Sequence, residues 1–495
     1  MSNSSLGLLL SVAAALLGCV YWLRNSQLYP LVNGKRRFEF RAAHAQRRFL
    51  SNARGLIQRG LAQWPVFRIL TDNGYKLVLS PKYANEIRSH DDLNFVKAAV
   101  DRFHAEIPGF EVFKQATRAD DILQDAIRTK MTQSLGIVTK PLSQEMAAAL
   151  QTNWTDSPEW HTITLKPTIL SIIAQISSRV FLGDKLCRNP DWLRITVDYT
   201  VDCFEAADAL RLWPALLRPI VAPFVPSCRK IRAQIQEARD IIFPVLEQRK
   251  KEKQAAVDRG DTPERYSDAM EWMEQCAKGR PYDAAIAQLT FSVAAIHTTS
   301  DMLVQVLYDI CEYDGLIEEL REEATNVLNT EGWTKSALHK LKLMDSVMKE
   351  SQRLKPSQIT IKLADGTTIP RNTLLYVSSE RMWDETIYPD PGKFDPYRFF
   401  RLRNTPGHEA LAQLITPTPE HLGFGLGKHA CPGRFFAANE MKVALCHILL
   451  KYDIKMANGW ENPPPLSREV VLLADPRGEM VIRRRDSDID LDLLG

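Results

Sequence analysis

One cysteine sits where a core thiol would not. Cys431 lies in FGLGKHACPGRFFA, residues 424–437, among Gly425, Gly427 and Gly433. Glycines let a backbone come close to a flat ligand and turn its amide N–H groups toward the sulfur. Such donors stabilise an anionic thiolate and tune an iron bound to it. A helix expected to start near Pro432 adds the positive end of its dipole. The bland alternative is a glycine-rich loop with an incidental cysteine. Two further segments hold polar residues that demand partners. Glu350 and Arg353 stand three apart on the helical pattern LKLMDSVMKESQRL, whose Leu341, Met344 and Met348 form one apolar stripe. A pair at that spacing often only decorates a surface. FDPYRFF, residues 394–400, brings Arg398 between aromatics, and a buried Glu–Arg–Arg network would have to satisfy all three charges. The third segment is AAIHTTSD, residues 294–301, within a helix expected from about Pro281 to Tyr313. Its stretch 284–296 is apolar nearly all round, so His297, Thr298 and Thr299 need partners or a function.

The elements around these residues read as mainly α with small β-sheets. From about Asp120 to Asp345 the pattern is almost wholly helical. VFRILTDNGYKLVL, residues 66–79, alternates around Asn73-Gly74, a strong hairpin signal. IKLADGTTIP (361–370) predicts a second hairpin and Thr373–Val377 a further strand. We expect one large domain over 25–485, preceded by an apolar segment in 1–24 and followed by a disordered acidic tail at 486–495.

Composition narrows the function. With 45% apolar and 25% charged residues and a net charge of +3, the chain reads as globular, with no electrostatic case for nucleic acid. Its eight cysteines form no CxxC pair, which argues against structural zinc and against a disulfide scaffold. Leu6–Leu23 is uncharged and long enough to cross a bilayer. No cation precedes it, whereas Arg24, Lys35, Arg36, Arg37 and Arg41 follow it, so a retained anchor would leave the body of the protein in the cytosol. A cleaved signal peptide, with Ala13 and Ala15 as its weak motif, is the competing reading. The proline-broken stretch LRLWPALLRPIVAPFVP (210–226) is either core or a lip that dips into a membrane surface.

Taken together and in this order, the three motifs resemble those of the cytochrome P450 superfamily, from the anchor to about Val481. AAIHTTSD, KESQRLKP and GKHACPGRFFA further resemble fungal members that tailor terpenoid, meroterpenoid or indole-diterpene skeletons. The resemblance implies haem b with Cys431 as its iron ligand, Phe424 against the ligand loop, and Gly427 and Gly433 shaping that loop. It implies that Arg128 and His429 pair with haem propionates, and that Glu350, Arg353 and Arg398 brace the proximal side. Thr298 would face dioxygen and help deliver protons, while the thiolate favours O–O cleavage. Electrons would come from NADPH through a separate cytochrome P450 reductase, since the chain has no GxGxxG or flavin segment. Lys428, Arg434 and Lys442 would offer it positive charge. The substrate would be a lipophilic small molecule, and the location a single-pass anchor in the endoplasmic reticulum membrane.

Two departures from the family pattern stand out. His297 occupies the place of the usual acid before the threonine; it relays protons, or it bonds a propionate or a backbone carbonyl. Between Pro356 and Asp365 only eight residues remain, too few for a strand that the family places beside the haem. That shortfall motivates a second reading, a haem-binding protein with impaired catalysis; a third is an isomerase or dehydratase of the same fold.

Overall fold

The computed structural model describes residues 29–39, 41–90, 103–115, 121–355, 373–459, 462–468, 470–486, 489–491 and 494. The apolar segment 1–24, the hairpin expected at 361–370 and the short Pro356–Asp365 stretch lie outside these residues. The principal helices are α1 (Ala43–Leu61), α2 (Leu135–Trp154), α3 (Leu165–Leu182), α4 (Pro190–Arg211), α5 (Pro226–Asp258) and α6 (Ala269–Ala277), followed by α7 (Ala284–Glu312), α8 (Leu316–Glu331), α9 (Lys342–Leu354), α10 (Arg398–Arg403) and α11 (Arg434–Lys451).

Helix α7 is the axis of the core, and it packs against α3, α4, α5 and α9. Its start is set by Asp283, whose carboxylate accepts the Ile286 N–H at 3.0 Å. Its all-round apolar sequence explains its place: Leu289, Ile296, Leu303, Val304, Val306 and Leu307 are buried from different sides. Helix α3 is apolar and long enough to cross a membrane, yet most of it is buried in this same core. Helix α4 starts at Pro190 with Asn189 accepting the Trp192 N–H at 3.0 Å.

The sheets are small and peripheral. Strands β1 (Leu31–Val32), β2 (Val66–Thr71), β3 (Gly74–Leu79) and β5 (Leu375–Val377) form one sheet in the order β1-β2-β3-β5. Thr71 pairs with Gly74, so the hairpin turns at Asp72 and Asn73, one residue earlier than the alternation suggests. Gly74, at φ 84°, takes the left-handed conformation that opens β3. Strands β4 (His161–Thr164), β6 (Tyr452–Met456) and β9 (Glu479–Arg484) form a second sheet in the order β4-β9-β6, and β7 (Leu466–Arg468) pairs with β8 (Val471–Leu473).

Two expectations are corrected here. The acidic tail is not wholly disordered: Ile489 and Leu491 are buried, and the Trp333 indole N–H donates to the Leu491 carbonyl at 2.9 Å. Of the two readings left open for 210–226 the structure divides the stretch: Leu210 and Ala222 are in the core, while Leu212, Leu216 and Phe224 are 86%, 90% and 76% exposed. Prolines keep it from folding back as one helix and leave these three apolar side chains outward.

Candidate active site

The loop before α11 is built around the Cys431 backbone as much as its thiol. The Cys431 N–H donates to the Phe424 carbonyl at 2.7 Å, closing the loop over Gly425 and Gly427. Gly427 is obligatory: at φ 60° a Cβ would lie 2.1 Å from the Arg88 carbonyl oxygen. That same carbonyl accepts the Lys428 N–H at 3.0 Å, so the loop is pinned to a segment more than 300 residues upstream. Burial pushes the Cys431 thiol up, while the N–H groups of Gly433 and Arg434 and the Arg434 guanidinium pull it toward thiolate. A coordinating cation would decide that balance, because it deprotonates a thiol outright. Helix α11 starts at Arg434, two residues beyond the expected position.

Glu350, Arg353 and Arg398 form the expected network. The Arg353 Nε and Nη2 donate to the two Glu350 oxygens, each at 2.8 Å, and Arg398 Nε donates to Oε1 at 3.0 Å. Remaining donors reach carbonyls: Arg353 Nη1 bonds Met382 and Pro391 at 2.6 and 2.8 Å, and Arg398 Nη1 bonds Pro389 at 2.8 Å. Tyr388 stacks its ring under both guanidiniums. The Glu350 and Arg353 side chains are 0% exposed, so desolvation is repaid only because nearly every donor and acceptor is matched.

Helix α7 shows a contrasting surface. Ala294 and Thr298, one turn apart, are exposed, with Val293, Ala295 and His297 half-buried beside them. The Thr298 hydroxyl donates to the Ala294 carbonyl at 2.9 Å. His297 points elsewhere: its Nε2 lies 3.0 Å from the Val197 carbonyl of α4, and burial, with Lys166 nearby, holds its pKa below the ordinary value. A backbone partner is therefore the observed role among those its sequence position leaves open. Arg128 is exposed near the ligand loop, with Nη2 3.4 Å from the Lys428 carbonyl. His429 Nε2 is buried with no hydrogen-bond partner.

One member of the expected cationic surface drops out. Lys442 is buried, with Nζ 2.6 Å from Asp345 and 2.9 Å from the Leu338 carbonyl. Its sequence distance from Cys431 suggested proximity to the surface, but a helix turns side chains inward as readily as outward. Lys428 remains exposed. Sequence reasoning also missed Asp301, which meets two lysines one turn beyond Thr298. Its signal was an acid in the middle of a largely apolar helix.

These residues fit a thiolate-ligated haem. Two N–H groups and a guanidinium favour charge on the Cys431 sulfur, a half-buried His429 presents an unpartnered ring nitrogen, and Arg128 adds a cation beside the same loop. Among the described residues no group of three or more His, Cys, Asp or Glu could by itself hold a metal.

The chain matches the family model for cytochrome P450 over residues 64–482. It is 52% identical over 481 residues to the cytochrome P450 monooxygenase adrA of Penicillium rubens, covering 94% of this chain and 93% of that one. It is 47% identical to the cytochrome P450 monooxygenase esdpI of Penicillium shearii, over 93% of this chain and 92% of the relative. Among solved structures, the retinoic acid-bound cyanobacterial CYP120A1 aligns with a TM-score of 0.63 at 18% identity, over 92% of this chain and 99% of that one, a likeness of fold.

Proposed function

The chain belongs to the cytochrome P450 family, and from that premise we propose that it is a haem-thiolate monooxygenase of fungal secondary metabolism acting on a terpenoid-type lipophilic intermediate. Bound through Cys431, haem b would activate dioxygen so that one atom enters a substrate C–H bond and the other leaves as water, with two electrons drawn from NADPH through a separate reductase.

The observation that carries this reading is the pairing of Cys431, in a loop that aims the Gly433 and Arg434 N–H groups at its sulfur, with an exposed threonine on the central helix. Cys431 supplies the ligand, and the Gly433 and Arg434 N–H groups hold its sulfur charge. His429 and Arg128 offer hydrogen-bond donors to haem carboxylates; the unpartnered His429 nitrogen is the group most in need of one. Glu350, Arg353 and Arg398 keep the loops behind the ligand in place. The Thr298 hydroxyl, now bonded back to Ala294, can exchange that bond for one toward a distal ligand and pass a proton.

The exposed apolar lip at Leu212, Leu216 and Phe224 would meet the bilayer next to an N-terminal anchor. Substrates dissolved in that bilayer would then enter from it. The catalytic domain would face the cytosol from the endoplasmic reticulum membrane, and exposed Lys428 would serve the reductase.

Labelled dioxygen tests the reaction class. With reductase, NADPH and an extract of the producing fungus, one labelled oxygen should appear in a product. A product formed without NADPH, or without label, would favour an isomerase or dehydratase.

A further inference from the structure

Helix α7 carries a second polar line beside Thr298. His297, Asp301, Gln305 and Asp309 recur every four residues, and so share one face of a helix that is otherwise apolar. Asp301 is the most heavily bonded of them. Its Oδ2 lies 2.5 Å from Lys355 Nζ and its Oδ1 2.7 Å from Lys166 Nζ. The same Oδ1 accepts the Ala474 N–H at 2.9 Å. Lys355 Nζ also donates to the Asp301 main-chain carbonyl at 3.0 Å, so it grips both the side chain and the helix backbone. Lys166 Nζ reaches the Ala474 carbonyl at 3.0 Å. Further along the face, Gln305 Nε2 bonds Asp309 at 2.9 Å, and Asn462 Nδ2 bonds Asp309 and Glu312 at 2.9 and 2.8 Å.

Three segments converge on this carboxylate: the end of α9, the start of α3 and the chain between β8 and β9. Helix α9 therefore braces both sides of the molecule. Its Glu350 and Arg353 anchor the network behind Cys431, and two residues later Lys355 ties down the helix that bears Thr298. In this chain the residue before Thr298 is His297, occupied by the Val197 carbonyl, so it contributes no carboxylate. Asp301 is a buried carboxylate one turn away, roughly 5 Å along the axis.

We infer that Asp301 is a positioning residue for the distal site: held by Lys355 and Lys166, it fixes the 297–301 turn and with it the placement of the Thr298 hydroxyl. This inference rests on the haem-thiolate reading. Asp301 and its two lysines are charges about one turn from Thr298 in a poorly solvated core where screening is weak, so removing the carboxylate leaves unbalanced positive charge that should be felt at Thr298. The groups facing Asp301 are Lys166 on α3, Lys355 at the end of α9 and, along its own helix, His297 and Tyr308.

The infrared stretch of carbon monoxide bound to the reduced full-length protein reads the distal field without turnover. Asp301→Asn should shift and broaden it, and Asp301→Glu should keep it near the wild-type position. Removing one partner of a buried pair can unfold a protein, so Asp301→Met with Lys355→Met serves as the second variant. Two apolar side chains of similar volume in place of a buried pair are often neutral for stability, and Lys166, which is partly exposed, keeps the Ala474 carbonyl and access to water. That double variant should fold, keep the thiolate–carbonyl Soret band and show the shifted stretch, with the ratio of peroxide released to product formed rising several-fold. An unshifted stretch and unchanged ratio in the folded double variant would overturn the inference and leave Asp301 a structural tie. A wild-type protein with no thiolate–carbonyl band would bring down the haem reading as well, so the two failures are distinguishable.

Discussion

The two faces that meet at Cys431 and at Thr298 are built by opposite means. On the Cys431 side, hydrogen bonds are nearly saturated: Glu350 takes a two-pronged fork from Arg353 and a single bond from Arg398, and each arginine's Nη1 ends on main-chain carbonyl oxygen. On the Thr298 side, the surface is sparse, with one alanine, one hydroxyl bonded only to its own helix, and a histidine turned away. The first face derives its geometry from satisfied charges and is costly to disturb. The second leaves side chains free for something other than folding. Substitutions on the first should therefore cost structure, and those on the second should cost chemistry.

The largest loss is expected for Glu350→Ala. It strands Arg353 and Arg398 as buried cations, a penalty of about 3–5 kcal/mol, and the protein should be recovered insoluble or without haem. Gly427→Ala should come next. Its positive φ and the Arg88 carbonyl in the path of a Cβ predict roughly 1–3 kcal/mol of strain, read as a lower thermal midpoint and weaker haem retention. If Gly427→Ala behaves as wild type, the loop is less fixed by its backbone than the geometry requires.

Glu440, buried on α11 behind the ligand loop, gives a smaller and pH-dependent effect. Burial pushes its carboxyl up to about 8, against a single donor from Ser177 at 2.6 Å. The folded state then holds a proton that the unfolded state releases. Its stabilising contribution is complete below about pH 4.5, declines as pH rises and is gone above about 8. Compared with Glu440→Gln, the wild-type thermal midpoint should fall progressively between these limits; a constant difference would show that Glu440 is ionised throughout. The smallest structural effect belongs to Thr298→Ala, within about 0.5 kcal/mol because only a bond to its own helix is lost. Product formation should nonetheless drop by roughly 10²-fold, with oxygen diverted to peroxide. Equal losses of stability and turnover would erase the contrast between the faces.

Legibility in the sequence follows the same division. The Cys431 loop and the Glu350–Arg353 pair are local patterns, so residue spacing alone points to them, and Arg398 is found from its aromatic flanks. The central helix, expected over Pro281–Tyr313, runs Ala284–Glu312 because an unbroken apolar stretch and Asp283 mark its limits. Contacts between distant segments were not legible. Nothing near Gly427 announces the Arg88 carbonyl, and nothing in Lys442 announces Asp345. Asp301 could be seen as an acid in an apolar helix, but its lysines come from 135 residues upstream and 54 downstream. The lip at 212–224 is apolar enough for a core, and only its geometry shows it exposed.

The most direct test of the central claim is the absorption spectrum of the reduced protein under carbon monoxide, alongside that of Cys431→Ala. The wild-type chain should show the red-shifted Soret band of a thiolate–carbonyl haem, and the variant should lack it. A wild-type spectrum without that band, or an identical band in the variant, would contradict Cys431 as the ligand.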